Sequence, residues 1–148
     1  MNVGALRVNH TGITVSDLER SKRFYEDVLG FRSEVEDEKQ GEAVSAVVGF
    51  ADTHLKVAML SLGDTVVELI QYFHPQPGRM QGRNCDVGAA HIAFETSDIE
   101  RSTRDLKEQG IESTPVFHVS SGPQNGWSFA YFADADGTTL ELYQLPRA

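Results

Sequence analysis

The chain has 148 residues, of which 40% are apolar, and a formal net charge of -9 at pH 7. This length and apolar content suit one compact domain with a buried core. The acidic balance argues against nonspecific binding to nucleic acid or to an anionic membrane, because both need clustered Lys and Arg. One cysteine, Cys85, excludes an internal disulfide, and no apolar run approaches the roughly 20 residues of a membrane span. We therefore expect a soluble cytoplasmic protein.

The first half of the chain begins with an alternating segment, residues 7–15, that is typical of a β-strand. Ser16 or Asp17 then caps a helix predicted for residues 18–28, which stops at Gly30. The next elements are predicted in the order strand, charged loop, short helix and β-hairpin, at residues 31–35, 36–42, 43–48, and 54–60 with 65–72.

Residues 74–87 are rich in Pro and Gly without a period, which predicts a linker. The second half then repeats the plan of the first. Its predicted elements are a strand at 89–96, a helix capped by Ser97 or Asp98 and stopping at Gly110, a strand from Ile111, a long loop at 115–126, and two strands at 127–133 and 138–145. Each half therefore reads as strand, helix and three strands.

The two halves are also related residue by residue. An offset of 81 residues aligns His10 with His91. The same offset aligns Ser-Asp-Leu-Glu-Arg-Ser at 16–21 with Ser-Asp-Ile-Glu-Arg-Ser at 97–102. A second pair of similar segments, residues 66–71 and 139–144, aligns Glu68 with Glu141. We predict one domain, 1–148, built from two modules at about 7–73 and 88–146, with the linker 74–87 between them.

Strand alternation tests whether these four polar residues could act together. Neighbouring residues point to opposite faces of a strand, so the apolar neighbours of each His and Glu lie on the other face. If the apolar faces pack on the helices, the four polar side chains emerge on the opposite face, and the sheet must curve for them to meet. Two imidazoles and two carboxylates suit a divalent metal, although a lone His or Glu in a strand is more often a simple surface residue.

The chain resembles the vicinal oxygen chelate superfamily, which includes glyoxalase I, methylmalonyl-CoA epimerase, extradiol dioxygenases, and fosfomycin- and bleomycin-resistance proteins. The resemblance covers nearly the whole chain and lies in His10-Thr11-Gly12-Ile13-Thr14-Val15-Ser16-Asp17-Leu18-Glu19-Arg20-Ser21, Phe24-Tyr25, Leu29-Gly30-Phe31, Ala90-His91-Ile92-Ala93-Phe94, and Phe132-Ala133-Asp134-Ala135-Asp136-Gly137 leading to Leu140-Glu141-Leu142.

This resemblance implies an α+β fold of paired βαβββ modules forming a cup-shaped, partly open mixed sheet with helices on the outer face. It also implies a homodimer. By position, His10, Glu68, His91 and Glu141 match the four metal-ligand places of the family. The cofactor expected is one divalent ion, either Fe, Ni, Co, Zn or Mn.

Differences from individual families narrow the range of functions expected for the chain. Thr14 stands where glutathione-using glyoxalases tend to have a basic residue, and Glu68 stands where methylmalonyl-CoA epimerases often have Gln. We expect a metal-dependent isomerase, epimerase or lyase that transfers a proton at a carbon next to a carbonyl, in a small-molecule substrate that chelates the metal through oxygen. The alternatives are an Fe(II) extradiol-type dioxygenase and a non-catalytic protein that sequesters an antibiotic.

Roles for individual residues follow from this expectation. Glu68 and Glu141 are the candidate catalytic residues, and His10 and His91 serve only as ligands. The candidate substrate-binding residues are Lys56 and His54 on a predicted strand, His118 in the long loop 115–126, and Tyr131 on a strand rich in aromatic residues. The alternation does not decide whether Tyr131, Phe129 and Trp127 line the site or the core.

Overall fold

The structure, a computed structural model, describes residues 3–80 and 82–146. Two compact units make up the chain, Met1–Arg79 and Met80–Ala148. The boundary between them falls inside the predicted linker 74–87, of which residue 81 lies outside the described part. Residues 1–2 and 147–148 of the predicted domain also lie outside it. That the two units form one domain stays a prediction.

The first unit is a four-stranded mixed sheet with two helices. The strand order is β1-β4-β3-β2, in which β1 runs parallel to β4 and the other pairs are antiparallel. Its elements are β1 (Thr11–Thr14), α1 (Leu18–Asp27), β2 (Arg32–Gln40), α2 (Glu42–Val48), β3 (His54–Leu62) and β4 (Thr65–His74).

The second unit repeats this topology. Its strand order is β5-β8-β7-β6, with β5 parallel to β8. Its elements are β5 (Ile92–Glu95), α3 (Ile99–Glu108), β6 (Phe117–His118), β7 (Ser128–Ala133) and β8 (Thr139–Gln144). The α+β class and the open mixed sheets are confirmed. None of the helices in the described part of the chain is long and apolar enough to cross a membrane.

Aspartate side chains begin the two main helices. Asp17 Oδ1 accepts a hydrogen bond from the Arg20 amide at 2.9 Å, and Asp98 Oδ1 accepts one from the Arg101 amide at 3.0 Å. Each satisfies an amide that the first helical turn leaves without a partner. The sequence left Ser16 or Asp17, and Ser97 or Asp98, as the helix caps. The structure uses the aspartate in both units.

A glutamine from the last strand of each sheet also anchors the helix. Gln71 Oε1 accepts a hydrogen bond from the Leu18 amide at 2.8 Å, and Gln144 Oε1 accepts one from the Ile99 amide at 2.7 Å. Because these amides belong to the first residues of α1 and α3, each helix start is tied to a sheet strand. The helix-facing side of each sheet is thus the side that carries the glutamine.

The apolar side chains predicted to pack beneath the helices are mostly buried. Val67, Leu69 and Leu140 have no exposed surface, and Ile13, Val15 and Leu142 are also buried. Ile92 and Phe94, on the short strand β5, are only half-buried. The predicted face is therefore correct, with its weakest burial in β5.

Three expectations about individual elements are wrong. Residues 36–40 belong to β2 rather than to a charged loop, because charged side chains suit an exposed edge strand. No strand begins at Ile111: Ser113 makes only an isolated bridge to Phe132, and β6 lies inside the predicted loop 115–126. The first strand of each unit is shorter than predicted, so both candidate histidines precede their strands by one residue.

We expect Gln71→Ala to lower the free energy of unfolding by about 1 kcal/mol, because the Leu18 amide would lose its part-buried acceptor. Urea denaturation followed by circular dichroism would measure this loss. Gln76→Ala, which removes an exposed glutamine, is the matched control and should change stability by less than about 0.5 kcal/mol. Equal losses in both variants would show that the anchor does not stabilise the fold.

Candidate active site

In the first unit, the parallel pairing of β1 and β4 brings His10 to Glu68. Gly12 is the register partner of Glu68, and His10 lies two residues before Gly12. The Nε2 atom of His10 is 3.3 Å from Oε2 of Glu68, and the two side chains are 38% and 23% exposed. The pair is therefore accessible to solvent and to small ligands.

The second unit builds the same pair from the repeat-mates. Ala93 is the register partner of Glu141, and His91 lies two residues before Ala93. The Nε2 atom of His91 is 3.0 Å from Oε2 of Glu141, and the two side chains are 35% and 9% exposed. Glu141 is thus the more shielded of the two carboxylates.

Both pairs lie on the sheet face that points away from the main helix. Glu68 is three residues from Gln71 and Glu141 is three from Gln144, and this odd spacing places Glu and Gln on opposite faces of the strand. The described part of the chain, residues 3–80 and 82–146, contains no group of three or more His, Cys, Asp or Glu side chains that could hold a metal ion. Each unit thus supplies two of the four predicted ligands.

A neighbouring amide orients the His10 ring. The Nδ1 atom of His10 lies 2.8 Å from Asn9 Oδ1, which can only accept a hydrogen bond, so Nδ1 carries the proton. In the neutral ring, Nε2 then presents a lone pair toward the Glu68 carboxylate. Two facing electron-pair donors suit a shared cation, and an imidazole fixed through its second nitrogen is the usual arrangement of a metal-binding histidine.

Tyr131 joins the pair in the second unit. It is the register partner of Glu141 on β7, and its ring meets the His91 ring edge-on, with centroids 5.4 Å apart. Burial, followed by the negative charge of Glu141, raises the pKa of the Tyr131 phenol. The hydroxyl therefore remains a hydrogen-bond donor at neutral pH.

The structure also places the aromatic residues that the sequence left undecided. Phe129 is the register partner of Tyr143, two residues along from the Tyr131–Glu141 pair, so both rings share the face of Glu141. The Trp127 ring contacts the Tyr143 ring at 5.3 Å. Tyr143 was missed by sequence reasoning, although its position two residues after Glu141 in an alternating strand was a usable signal.

Lys56 and His54 do not come to the face of Glu68. Lys56 is the register partner of Gln71 on the helix-facing side, where its Nζ lies 3.1 Å from Glu36 and 3.4 Å from Glu19. His54 Nε2 lies 2.6 Å from Glu38 Oε1. Alternation correctly put Lys56 and His54 together, but only the strand register shows which face they share.

His118 is also directed away from its predicted place. Its Nδ1 lies 2.8 Å from the Ser128 hydroxyl and its Nε2 lies 3.2 Å from Glu100 on α3. Ser128 is the register partner of Gln144, so this contact belongs to the helix-facing side of the second sheet. The His118 side chain therefore ties β6 to α3 and does not reach the face of Glu141.

Comparison with known protein families gives a match over most of the chain. The family model described as "Glyoxalase/Bleomycin resistance protein/Dioxygenase superfamily" matches residues 7–142, which include both His–Glu pairs. The chain belongs to this superfamily. The match also covers α1, α3 and every strand except the end of β8.

Two relatives of this glyoxalase-superfamily chain carry the names of enzymes. A 2-epi-5-epi-valiolone epimerase from Actinomyces sp. is 32% identical over 150 residues, covering 97% of this chain and 81% of that protein. The mitochondrial methylmalonyl-CoA epimerase of Mus musculus is 33% identical over 141 residues, covering 93% of this chain and 72% of that protein.

A solved structure shows the same glyoxalase fold. The glyoxalase family protein APC24694 from Bacillus cereus has a TM-score of 0.82 and 20% sequence identity, covering 97% of this chain and 96% of that one. At this identity the likeness concerns the fold alone.

The position of Lys56 in this superfamily member leads to a pH-dependent prediction. Hydrogen bonds from Lys22 and then Lys56 lower the pKa of Glu36 below its ordinary value of 4.5. Ionised Glu36 therefore stabilises the folded state above about pH 4.5, and this contribution is lost as the pH falls through the lowered value. Glu36→Gln should reduce stability at pH 7, and its difference from the wild type should shrink in acid.

Denaturant titrations at pH 7 and pH 3 would test this expectation. Glu34→Gln is the control, because Glu34 Oε1 accepts a hydrogen bond from the neutral Ser61 hydroxyl. A Glu36→Gln deficit that persists unchanged at pH 3 would contradict the role of the lysines. Because the Glu36 cluster lies on the helix-facing side, Glu36→Gln should not change the metal content of the protein.

Proposed function

We propose that this protein is a metal-dependent isomerase, epimerase or lyase that transfers a proton at a carbon next to a carbonyl. The observation that carries the proposal is the duplicated His–Glu pair. Each unit presents an imidazole nitrogen and a carboxylate oxygen within 3.3 Å, at equivalent register and on the face away from the helix. Two relatives named as epimerases support this reaction class.

We propose His10, Glu68, His91 and Glu141 as the ligands of one divalent first-row metal. Imidazole nitrogen and carboxylate oxygen suit these ions, and the hydrogen bond from His10 Nδ1 to Asn9 supplies the expected second contact. When bound, the metal supplies positive charge that stabilises the negative charge developing on a chelating substrate oxygen. The two histidines need no proton-transfer role.

A carboxylate would take the proton from carbon and return it. Glu141 is the stronger candidate in one respect, because its side chain is 9% exposed while that of Glu68 is 23% exposed. A shielded carboxylate meets the substrate with little competing water. A lyase or isomerase can use one base, whereas an epimerase that exchanges protons on two faces would use both.

Tyr131 is the substrate-binding residue that the geometry favours. Its hydroxyl carries a donor on the face of Glu141, so it can hold an oxygen of the substrate. Lys56, His54 and His118 are left out of this proposal because they lie on the helix-facing sides. A small-molecule substrate and a homodimer are carried forward from the family resemblance.

We expect the purified protein to bind about one divalent ion per chain. Elemental analysis after incubation with Fe, Ni, Co, Zn or Mn salts and removal of the excess would measure the content. His91→Ala should release most of the metal, whereas His54→Ala, which removes a histidine from the helix-facing side, should retain it. Equal metal content in the two variants would contradict the ligand assignment.

Proton transfer can be observed directly in deuterium oxide. Candidate α-hydroxyketones and acyl thioesters, incubated with metal-loaded protein, should gain deuterium at the carbon next to the carbonyl. Glu141→Gln should slow this exchange by about 100-fold or more while weakening substrate binding far less, since Gln keeps an oxygen ligand but cannot accept the proton. Nuclear magnetic resonance would follow the exchange.

Glu68→Gln, assayed alongside, shows whether one or both carboxylates act. Exchange that survives in both variants would remove the glutamates as bases. Oxygen consumption with catechols by the Fe(II)-loaded protein, without exchange of any carbon acid, would instead favour a dioxygenase. Ligand binding with neither reaction would favour a sequestering protein.

A further inference from the structure

A connected row of aromatic rings leads away from the His91–Glu141 pair in the second unit. Ring centroids are 5.4 Å apart from His91 to Tyr131, 6.1 Å from Tyr131 to Phe129, and 5.3 Å from Phe129 to Phe117. Phe117 is the register partner of Phe129, and Phe129 shares a face with Tyr131, so the row crosses β7 to the edge strand β6 on the Glu141 side. We call Tyr131, Phe129 and Phe117 the aromatic row.

The equivalent positions of the first unit show that the sheet does not need these rings. Met59 is the register partner of Glu68, as Tyr131 is of Glu141. Val57 pairs with Ile70 where Phe129 pairs with Tyr143. The two units therefore keep the same His–Glu pair and the same strand register, while the side chains next to the glutamate are Met and Val in one and Tyr and Phe in the other.

The aromatic row also remains accessible. Phe117 is 57% exposed, and Phe129 and Tyr131 are only half-buried. Adjacent exposed rings lose the benefit of burial unless something flat and apolar covers them. One end of the row contacts His91, a proposed metal ligand. A molecule that covers the rings would therefore lie next to the reacting atoms.

We propose that the aromatic row binds a planar aromatic or conjugated group that is attached to the chelating carbonyl of the substrate. The inference rests on the proposed function and names its substrate class: α-oxygenated carbonyl compounds with an aryl or conjugated substituent. Phe129 and Phe117 are specificity-determining residues that touch the substituent, whereas the proton is transferred at the carbon beside the carbonyl.

A matched pair of ligands isolates this contact. Hydroxyacetone and 2-hydroxyacetophenone present the same two oxygens to the metal and differ only in a methyl or phenyl group on the carbonyl. Calorimetric titration of the metal-loaded protein should give tighter binding of the phenyl compound. Phe129→Ala should reduce the phenyl-to-methyl affinity ratio by about five- to tenfold, the usual worth of an aromatic pair.

Two further variants keep the test interpretable. Phe117→Ala removes a ring that is 57% exposed and should lower the ratio even if Phe129→Ala folds poorly. Phe73→Ala is the control, because Phe73 is 39% exposed and its ring contacts His54 on the helix-facing side. The ratio should not change in that variant.

The outcomes separate this inference from the proposed function. An unchanged ratio in Phe129→Ala and Phe117→Ala, or a wild-type protein that does not prefer the phenyl compound, would overturn the aromatic-row proposal. Metal content and deuterium exchange, measured on the same wild-type sample, report independently on the proposed reaction. A protein that holds metal and exchanges protons without a phenyl preference would retain the function and lose the inference.

Discussion

The parallel pairing between the first and last strands of each unit is the constraint on which the candidate site depends. Gly12 beside Glu68 and Ala93 beside Glu141 fix the register, and each histidine lies two residues upstream of that contact. A shift of one residue in either pairing would turn the histidine and the glutamate to different faces. The short strands β1 and β5 therefore determine whether the two His–Glu pairs form.

The sequence repeat was enough to single out the residues of the two His–Glu pairs, because it related His10 to His91 and Glu68 to Glu141 without knowledge of the fold. Strand alternation then placed the apolar neighbours under the helices correctly. Local patterns were less informative at the edges of the sheets. The charges in residues 36–40 indicated a loop, yet charged side chains are also how an edge strand avoids pairing with another chain.

The face of Lys56 could not be derived from its own strand. Alternation is the same whichever way a strand is turned, so only the cross-strand partners decide which side faces the helix. Pairing with Gln71 decides it for Lys56, and pairing with Gln144 decides it for Ser128 and its neighbour His118. The aromatic row became visible for the same reason, because it depends on contacts between residues that are far apart in the sequence.

The last strand of each unit carries functional side chains on both of its faces, a glutamate on one and the helix-anchoring glutamine on the other. Glu68 and Gln71 are three positions apart, as are Glu141 and Gln144, so one strand presents a proposed ligand on one face and holds a helix start on the other. Inserting or deleting one residue between them would turn one of the two side chains to the wrong side. Substitution at positions such as Met59 and Tyr131 can therefore change the chemistry around the glutamates, whereas a change in the length of this segment would misplace either the glutamate or the helix anchor. New reactions on this framework have to arise with its spacing intact.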